Sequence, residues 1–134
     1  MSLREKLPLS TLFLVVDDLP NMRTITREHL GKMGFVNVLE AKDGDEALGI
    51  LKTNPVNFII SGWVMPRMTG YQLLKQVRLI AKYKDTPFVM VTAEDQAEKV
   101  VAALRAGVSG YVIKPFSIES LEASLIEALA RSIS

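Results

Sequence analysis

The stretch FIISGWVMP, residues 58–66, decides how the rest of this sequence is interpreted. Its first four residues carry no charge and favour a buried strand, and Gly62 precedes a Met65-Pro66 pair that cannot continue a sheet. The chain must therefore turn at the carboxyl end of this strand, where open α/β sheets bind ligands. Because Gly62 has no side chain, the position facing such a site offers no nucleophile, base or metal ligand.

On both sides of this stretch, short apolar runs alternate with segments that carry apolar residues at helical spacing. The runs predict five strands, each followed by a helix, at residues 11–16, 36–41, 58–61, 88–91 and 111–113. This alternation predicts one doubly wound (βα)5 domain with a parallel sheet and helices on both faces. We expect an N-terminal extension at residues 1–10 and the single domain at residues 11–134.

Several residues mark where the helices begin and end. Pro20 suits the first turn of the first helix, and Asp43 followed by Glu46 predicts the start of the second. Thr86-Pro87 is expected to end the third helix, and Gly107 to cap the carboxyl end of the fourth.

Polar residues follow the first, fourth and fifth predicted strands, and Gly62 follows the third. Because parallel crossovers are right-handed, the winding of the sheet reverses between the first and third strands. Asp17, Asp18 and Gly62 are expected to meet at that point. Thr92 and Lys114 follow the fourth and fifth strands and are expected at the same edge of the sheet.

Composition excludes several functional classes. A chain of 134 residues with 49% hydrophobic and 23% charged residues can bury one ordinary core. A net charge of +1 without a basic stripe predicts neither nucleic-acid binding nor a membrane surface, and no apolar run approaches the length of a membrane span. The absence of cysteine excludes a thiolate zinc site, and the single His29 excludes a cluster of imidazole ligands. We expect a cytoplasmic protein.

Four motifs in this order resemble the receiver domain of bacterial two-component response regulators, most of all the stand-alone chemotaxis regulators of the CheY type. They are VVDD at 15–18, ISGWVMP at 60–66, VTAE at 91–94 and GYVIKPF at 110–116. The resemblance covers nearly the whole chain. It implies the flavodoxin-like strand order 2-1-3-4-5, and it implies a cis Lys114-Pro115 peptide bond.

In such receivers an aspartate at the end of the third strand accepts a phosphoryl group from a histidine kinase, and Mg²⁺ binds to that aspartate and to the acidic pair. In this sequence the acceptor position is Gly62. The other roles that the resemblance implies are metal binding by Asp17, Asp18 and the Val64 backbone carbonyl, a switch hydroxyl on Thr92, a switch aromatic in Tyr111 and a phosphate-contacting Lys114.

Without an oxygen nucleophile at Gly62, the usual aspartyl phosphate cannot form. With one carboxylate fewer, we expect weakened Mg²⁺ binding. Two functions stay open: a phosphate-independent binding module, or pseudo-receiver, and a phosphorylation-competent regulator captured as a glycine variant. Phosphorylation of Ser61 instead would need a local twist, because strand alternation points its side chain away from the site. The acidic 17–18 loop argues against an enzyme that binds phosphate directly.

The resemblance also implies partners. They are a histidine kinase of the chemotaxis type or a downstream signalling protein, contacted through a face that contains Val100, Leu104 and Tyr111. The fourth helix is expected to open with residues 95–98, DQAE, where a regulator of the flagellar switch would be expected to carry lysines. We expect a monomer that signals by protein contact.

Overall fold

The computed structural model describes residues 2–93 and 95–133, so Glu94 of the 91–94 motif lies outside the described residues. The strands are β1 (Phe13–Val16), β2 (Val38–Ala41), β3 (Phe58–Gly62), β4 (Phe88–Thr92) and β5 (Gly110–Ile113). The helices are α1 (Pro20–Lys32), α2 (Gly44–Thr53), α3 (Gly70–Leu79), α4 (Ala97–Arg105) and α5 (Ile118–Ile133). Two 3₁₀ turns lie at Leu3–Glu5 and Ala81–Tyr83.

The five strands form one parallel sheet in the order β2-β1-β3-β4-β5. The predicted doubly wound (βα)5 fold is therefore confirmed. Val16 of β1 is paired with Ser61 of β3, and Gly62 with Val91 of β4. This register brings the carboxyl ends of the three central strands to one edge of the sheet.

Alternate residues of each strand enter two separate cores, as a sheet covered on both faces requires. Leu14, Val16 and Ile59 belong to the core shared with α2 and α3, whereas Phe13 and Val15 belong to the core shared with α1 and α5. Each fully buried side chain of this size contributes about 1.5–3 kcal/mol of transfer free energy. The two cores hold the sheet edge rigid beneath the site.

The N-terminal segment also packs on the domain. Leu3 is fully buried in the core that α1 and α5 cover, and its backbone N–H donates a 2.9 Å hydrogen bond to Glu122 of α5. Leu9 approaches Gly34 after α1. The 3₁₀ turn at Leu3–Glu5 thus lies against the end of the domain opposite the carboxyl edge of the sheet.

Most of the capping predictions are confirmed. Pro20 is the first residue of α1, and the Asp43 side chain caps α2 by accepting a 2.8 Å hydrogen bond from the backbone N–H of Glu46. Gly107 follows α4 with a φ of +96°, a conformation that glycine adopts without a steric penalty. The Lys114-Pro115 bond is cis.

The predicted end of α3 at Thr86-Pro87 is wrong, because the helix ends at Leu79. Ile80 is already extended, and a 3₁₀ turn follows it. Tyr83, which closes that turn, is buried and donates its hydroxyl to the carbonyl oxygens of Leu51 and Asn54. Because these hydrogen bonds hold Tyr83 at the end of α2, the chain leaves the path of α3 before it reaches Pro87.

Two strands begin later than predicted. The first strand begins at Phe13 instead of Thr11, since the Leu12 N–H donates to the Asn57 side chain at 2.8 Å. The second begins at Val38 instead of Val36, which is 74% exposed.

Candidate functional site

A pocket of about 220 Å³ opens at the carboxyl edge of the sheet. It lies where β1, β3, β4 and β5 end, so the turns that follow these strands form its walls. Its lining residues are Asp18, Leu19, Trp63, Val64, Val91, Thr92, Ala93 and Lys114. The structure therefore brings together most of the residues that the sequence predicted for the site.

Asp17 is held firmly at the end of β1. It is 7% exposed, its Oδ1 accepts a 3.0 Å hydrogen bond from the Leu19 N–H, and its Oδ2 lies 3.5 Å from Lys114 Nζ. Arg23 of α1 donates from Nη1 to the Asp17 carbonyl oxygen at 2.6 Å and from Nε to Glu40 at 3.1 Å. The carboxylate thus has a fixed orientation and a cationic partner.

Arg23 is a supporting residue that sequence reasoning missed. It lies six positions after Asp17, and its second partner, Glu40, is on the edge strand β2. Glu40 also forms an ion pair with Arg27, at 3.0 Å, so two guanidinium groups tie α1 to β2. The helical spacing of the two arginines was the available signal, but it did not identify Glu40 as their shared partner.

The remaining metal-binding candidates face solvent. Asp18 is exposed, and Val64 is 70% exposed. Carboxylate and carbonyl oxygens are the hard ligands that Mg²⁺ prefers, usually with several waters retained. Within the described residues no group of three or more metal-binding side chains occurs. The donor chemistry at Asp17, Asp18 and the Val64 carbonyl therefore fits Mg²⁺, with two side-chain ligands.

Gly62 continues β3 in regular register, and its backbone does not adopt a positive φ. A Cβ added there would lie 3.1 Å from Asp17 Oδ2, the movable end of a side chain. The backbone at this position therefore does not require glycine. A larger residue would fit after a shift of a few tenths of an ångström in the Asp17 carboxylate.

Ser61 is fully buried beside Gly62. Its hydroxyl donates a 2.9 Å hydrogen bond to the Gly62 carbonyl oxygen. In this position the hydroxyl is withdrawn from solvent, whereas a phosphoryl acceptor must be reached by its donor.

Thr92 and Lys114 also line the pocket. Thr92 is 3% exposed at the end of β4, and its carbonyl oxygen accepts from the Lys114 N–H at 2.8 Å. This backbone bond places the Lys114 side chain, which is 27% exposed, beside the Asp17 carboxylate. A lysine and a threonine thus line the pocket together with Asp18, and the lysine lies beside Asp17.

The loop between β3 and α3 folds back over the end of β3. The Gly70 N–H donates to the Trp63 carbonyl at 2.7 Å, and a Cβ on Gly70 would overlap the Gly62 carbonyl oxygen. Arg67, with a φ of +68°, pairs with Asp43 at 2.6 Å. The Glu46 N–H, together with Arg67, holds the pKa of Asp43 below its ordinary value.

An aromatic cluster links the pocket to α3, α4 and β5. Trp63 stacks on Tyr71 with ring centroids 5.5 Å apart and meets Tyr111 edge-on at 6.2 Å. Lys99 Nζ lies 5.7 Å from the centre of the Trp63 ring. The cluster was not predicted, because its members are far apart in sequence and follow no common period.

The predicted partner face lies beside this cluster. Leu104 is 44% exposed and Val101 43% exposed on α4, while Val100 and Tyr111 are half-buried. On β5, Ile113 is 39% exposed. These side chains form an apolar surface next to the site and within reach of a partner.

Together, the fold and the pocket define a doubly wound α/β domain with an acidic pair, a threonine and a lysine at the carboxyl edge of its sheet. The family model described as response regulator receiver domain matches residues 13–126. The chain belongs to this family.

Two curated relatives have similar sequences along most of their length. The chemotaxis protein CheY of Pseudomonas aeruginosa is 41% identical over 118 residues, which are 88% of this chain and 95% of the relative. Chemotaxis protein CheY-3 of Vibrio cholerae is 41% identical over 88% of this chain and 91% of its own. A solved structure of the Vibrio cholerae chemotaxis protein CheY4 superposes with a TM-score of 0.80 and 35% identity, covering 92% of this chain and 98% of that one.

Membership of the family places the pocket in a known class of site. Receiver domains are signalling modules that interact with histidine kinases and downstream signalling proteins, and they generally bind Mg²⁺ at the acidic phosphorylation site. Among the helices in the described part of the chain, none has the length and apolar character to span a membrane.

Proposed function

We propose that this protein is a cytoplasmic, chemotaxis-like receiver that signals by protein contact and does not form the usual aspartyl phosphate. One observation carries the proposal: Asp17, Thr92 and Lys114 surround a strand end whose residue, Gly62, has no side chain. Phosphoryl transfer needs an oxygen nucleophile in line with the leaving group, and glycine supplies none. The surrounding residues serve orientation and charge, which cannot replace it.

The residues around Gly62 keep defined roles in this proposal. Lys114 supplies positive charge at the pocket wall, and Thr92 supplies a hydroxyl beside it. Mg²⁺ would bind to Asp17, Asp18 and the Val64 carbonyl, but with one carboxylate fewer than an aspartate at residue 62 would give. We therefore expect weakened Mg²⁺ affinity.

The proposed output is contact with a histidine kinase of the chemotaxis type or with a downstream signalling protein. The exposed apolar residues of α4 and β5, with Tyr111 between them and the pocket, support this surface. The names of the chemotaxis relatives support the type of pathway. We propose a monomer that binds neither nucleic acid nor membranes.

A second candidate is a phosphorylation-competent regulator in which Gly62 replaces an acceptor aspartate. It is favoured by the regular backbone at residue 62 and by the 3.1 Å separation between an added Cβ and Asp17 Oδ2, which a small side-chain shift relieves. In both candidates the parent protein lacks an acceptor at residue 62. They differ in what the Gly62→Asp protein does.

Intact-mass measurement after incubation with a small phosphodonor and Mg²⁺ tests the proposal. We expect no change in the mass of the parent protein, and Gly49→Asp, on the exposed face of α2, serves as the matched control. A gain of one phosphoryl group by Gly62→Asp would favour the second candidate. No gain by either protein would favour the phosphate-independent pseudo-receiver. A phosphorylated parent would contradict the proposal, and Ser61 would be mapped first.

A further inference from the structure

The pocket at the carboxyl edge places cationic and anionic groups around the missing side chain. Lys114 Nζ is 3.5 Å from Asp17 Oδ2, and Asp18 and Thr92 line the same cavity of about 220 Å³. The nearest atoms to a Cβ on Gly62 would be Oδ2 and Cγ of Asp17, at 3.1 and 3.5 Å. A side chain at residue 62 would therefore emerge beside the Asp17 carboxylate.

The charges of these groups decide what else the pocket accepts. Two carboxylates, of Asp17 and Asp18, and the Lys114 ammonium sum to a formal charge of about −1, so an anion alone is repelled. A bound Mg²⁺ changes this sum to about +1, which attracts an anion. Oxyanion binding is therefore expected to depend on the cation.

We propose that the pocket binds a small free oxyanion, a carboxylate or inorganic phosphate, together with Mg²⁺. The anion supplies an oxygen ligand that residue 62 lacks, and it pairs with Lys114 in the pocket that Thr92 also lines. The inference rests on the proposed function, since an acceptor carboxylate on residue 62 would occupy the same place. Each ligand raises the affinity for the other by the same factor.

Such a site changes the kind of signal that the domain responds to. Occupancy is reversible and depends on the concentration of a small anion, whereas an aspartyl phosphate depends on a kinase. Trp63 lines the pocket and contacts Tyr71 and Tyr111. A bound anion and Mg²⁺ would therefore lie next to the face that carries Val100 and Leu104.

Calorimetric titration with Mg²⁺ tests the inference in chloride, acetate and inorganic phosphate buffers of equal ionic strength. We expect at least about fivefold tighter Mg²⁺ binding with acetate or phosphate than with chloride. Lys114→Met keeps an unbranched apolar stem of similar length and should abolish the difference between anions. Gly62→Asp should also abolish it, because the new carboxylate takes the place of the free anion.

The Gly49→Asp protein is the matched control for an added carboxylate. Gly49 is exposed, and nothing lies within 4 Å of an added Cβ, so this protein should keep the full effect of the anion. Circular dichroism verifies that each variant is folded. A response to one anion alone supports the inference and identifies the source of the oxyanion.

Two results would overturn the inference. One is equal Mg²⁺ affinity of the parent protein in all three buffers, and the other is an undiminished anion effect in Gly62→Asp. The intact mass of the titrated samples separates the two proposals. A covalent phosphoryl group on the parent contradicts the proposed function, whereas an unchanged mass without anion coupling overturns the oxyanion site alone.

Discussion

The ends of β1 and β3 are neighbours in the sheet, yet they differ in how their polar groups are held. At the end of β1, the Asp17 carboxylate contacts Leu19 N–H and Lys114, and its backbone carbonyl accepts from Arg23. At the end of β3, Gly62 has no side chain, and its carbonyl accepts from the buried Ser61 hydroxyl. The polar group presented at the end of β1 is a side-chain carboxylate, whereas the polar group at the end of β3 is a backbone carbonyl.

This difference shows that the residues that support Asp17 are separate from residue 62, the position that lacks an acceptor. None of these contacts of Asp17 involves residue 62, so a side chain added at that position requires only a shift of a few tenths of an ångström in the Asp17 carboxylate. The loop that covers β3 depends instead on the close approach of Gly70. The two ends should therefore respond to different substitutions.

The largest effect is expected from Gly70→Ala, which disrupts the packing of the loop against the backbone at the end of β3. The added Cβ would overlap the Gly62 carbonyl oxygen, and relief of the overlap must move the loop or β3. We expect a loss of about 3 kcal/mol in the free energy of unfolding, measured by urea denaturation. Gly31→Ala, with nothing within 4 Å of its Cβ, should instead gain about 0.5–1 kcal/mol. Equal stability of the two variants would contradict the close-packing account.

A smaller effect is expected from Arg23→Met, which removes the side chain that supports Asp17 at the end of β1. The substitution removes charge-assisted hydrogen bonds to the Asp17 carbonyl and Glu40 while it keeps the apolar stem. We expect a loss of about 2 kcal/mol in urea denaturation.

The control for this substitution is Arg131→Met. Arg131 forms an ion pair with Glu127 of α5, and both side chains are at least half exposed, so removal of that pair should change stability by less than about 0.5 kcal/mol. If Arg23→Met matched this control, the hydrogen bonds at the end of β1 would contribute nothing measurable.

The smallest effect is expected from Asp43→Asn, which alters the link between α2 and the loop after β3. Because the folded-state pKa of Asp43 is lowered from 3.8, its ionisation stabilises the fold above that pH. This contribution is lost as the pH falls through the lowered pKa. Urea denaturation of both proteins from pH 6 to about pH 2 should show the parent losing more stability. If the stability of the two proteins fell equally with pH, the lowered pKa of Asp43 would not contribute to the stability of the fold.

The strands were predictable because apolar runs and capping residues agree, whereas their order was implied by the resemblance to receiver domains. Asp17, Thr92 and Lys114 follow strands in the sequence, so a parallel sheet necessarily brings them to one edge. The end of α3 was not predictable in this way. Tyr83 leaves the helical path to reach the carbonyl oxygens of Leu51 and Asn54, and that contact depends on where α2 ends.

The same limit applies to the site. The residues that line the pocket follow the ends of strands. The residues that support them do so through contacts between helices and strands that sequence spacing does not reveal. Arg23 reaches both the Asp17 carbonyl and the edge strand β2, and Trp63 meets Tyr71 and Tyr111 through the packing of three elements. Residue identities therefore predicted the chemistry of the pocket and left its surroundings undetermined.

Because Leu3 is buried, the folded domain begins earlier in the chain than the region that matches the family model. The family match begins at residue 13, yet Leu3 fills a place in the core and ties the chain to Glu122 of the last helix. A fragment that began at Thr11 would keep every residue of the signalling pocket and start with a hole beneath the sheet. Leucine truncation in a core costs about 2–5 kcal/mol, so the first turn is part of what an evolving or engineered fusion must preserve.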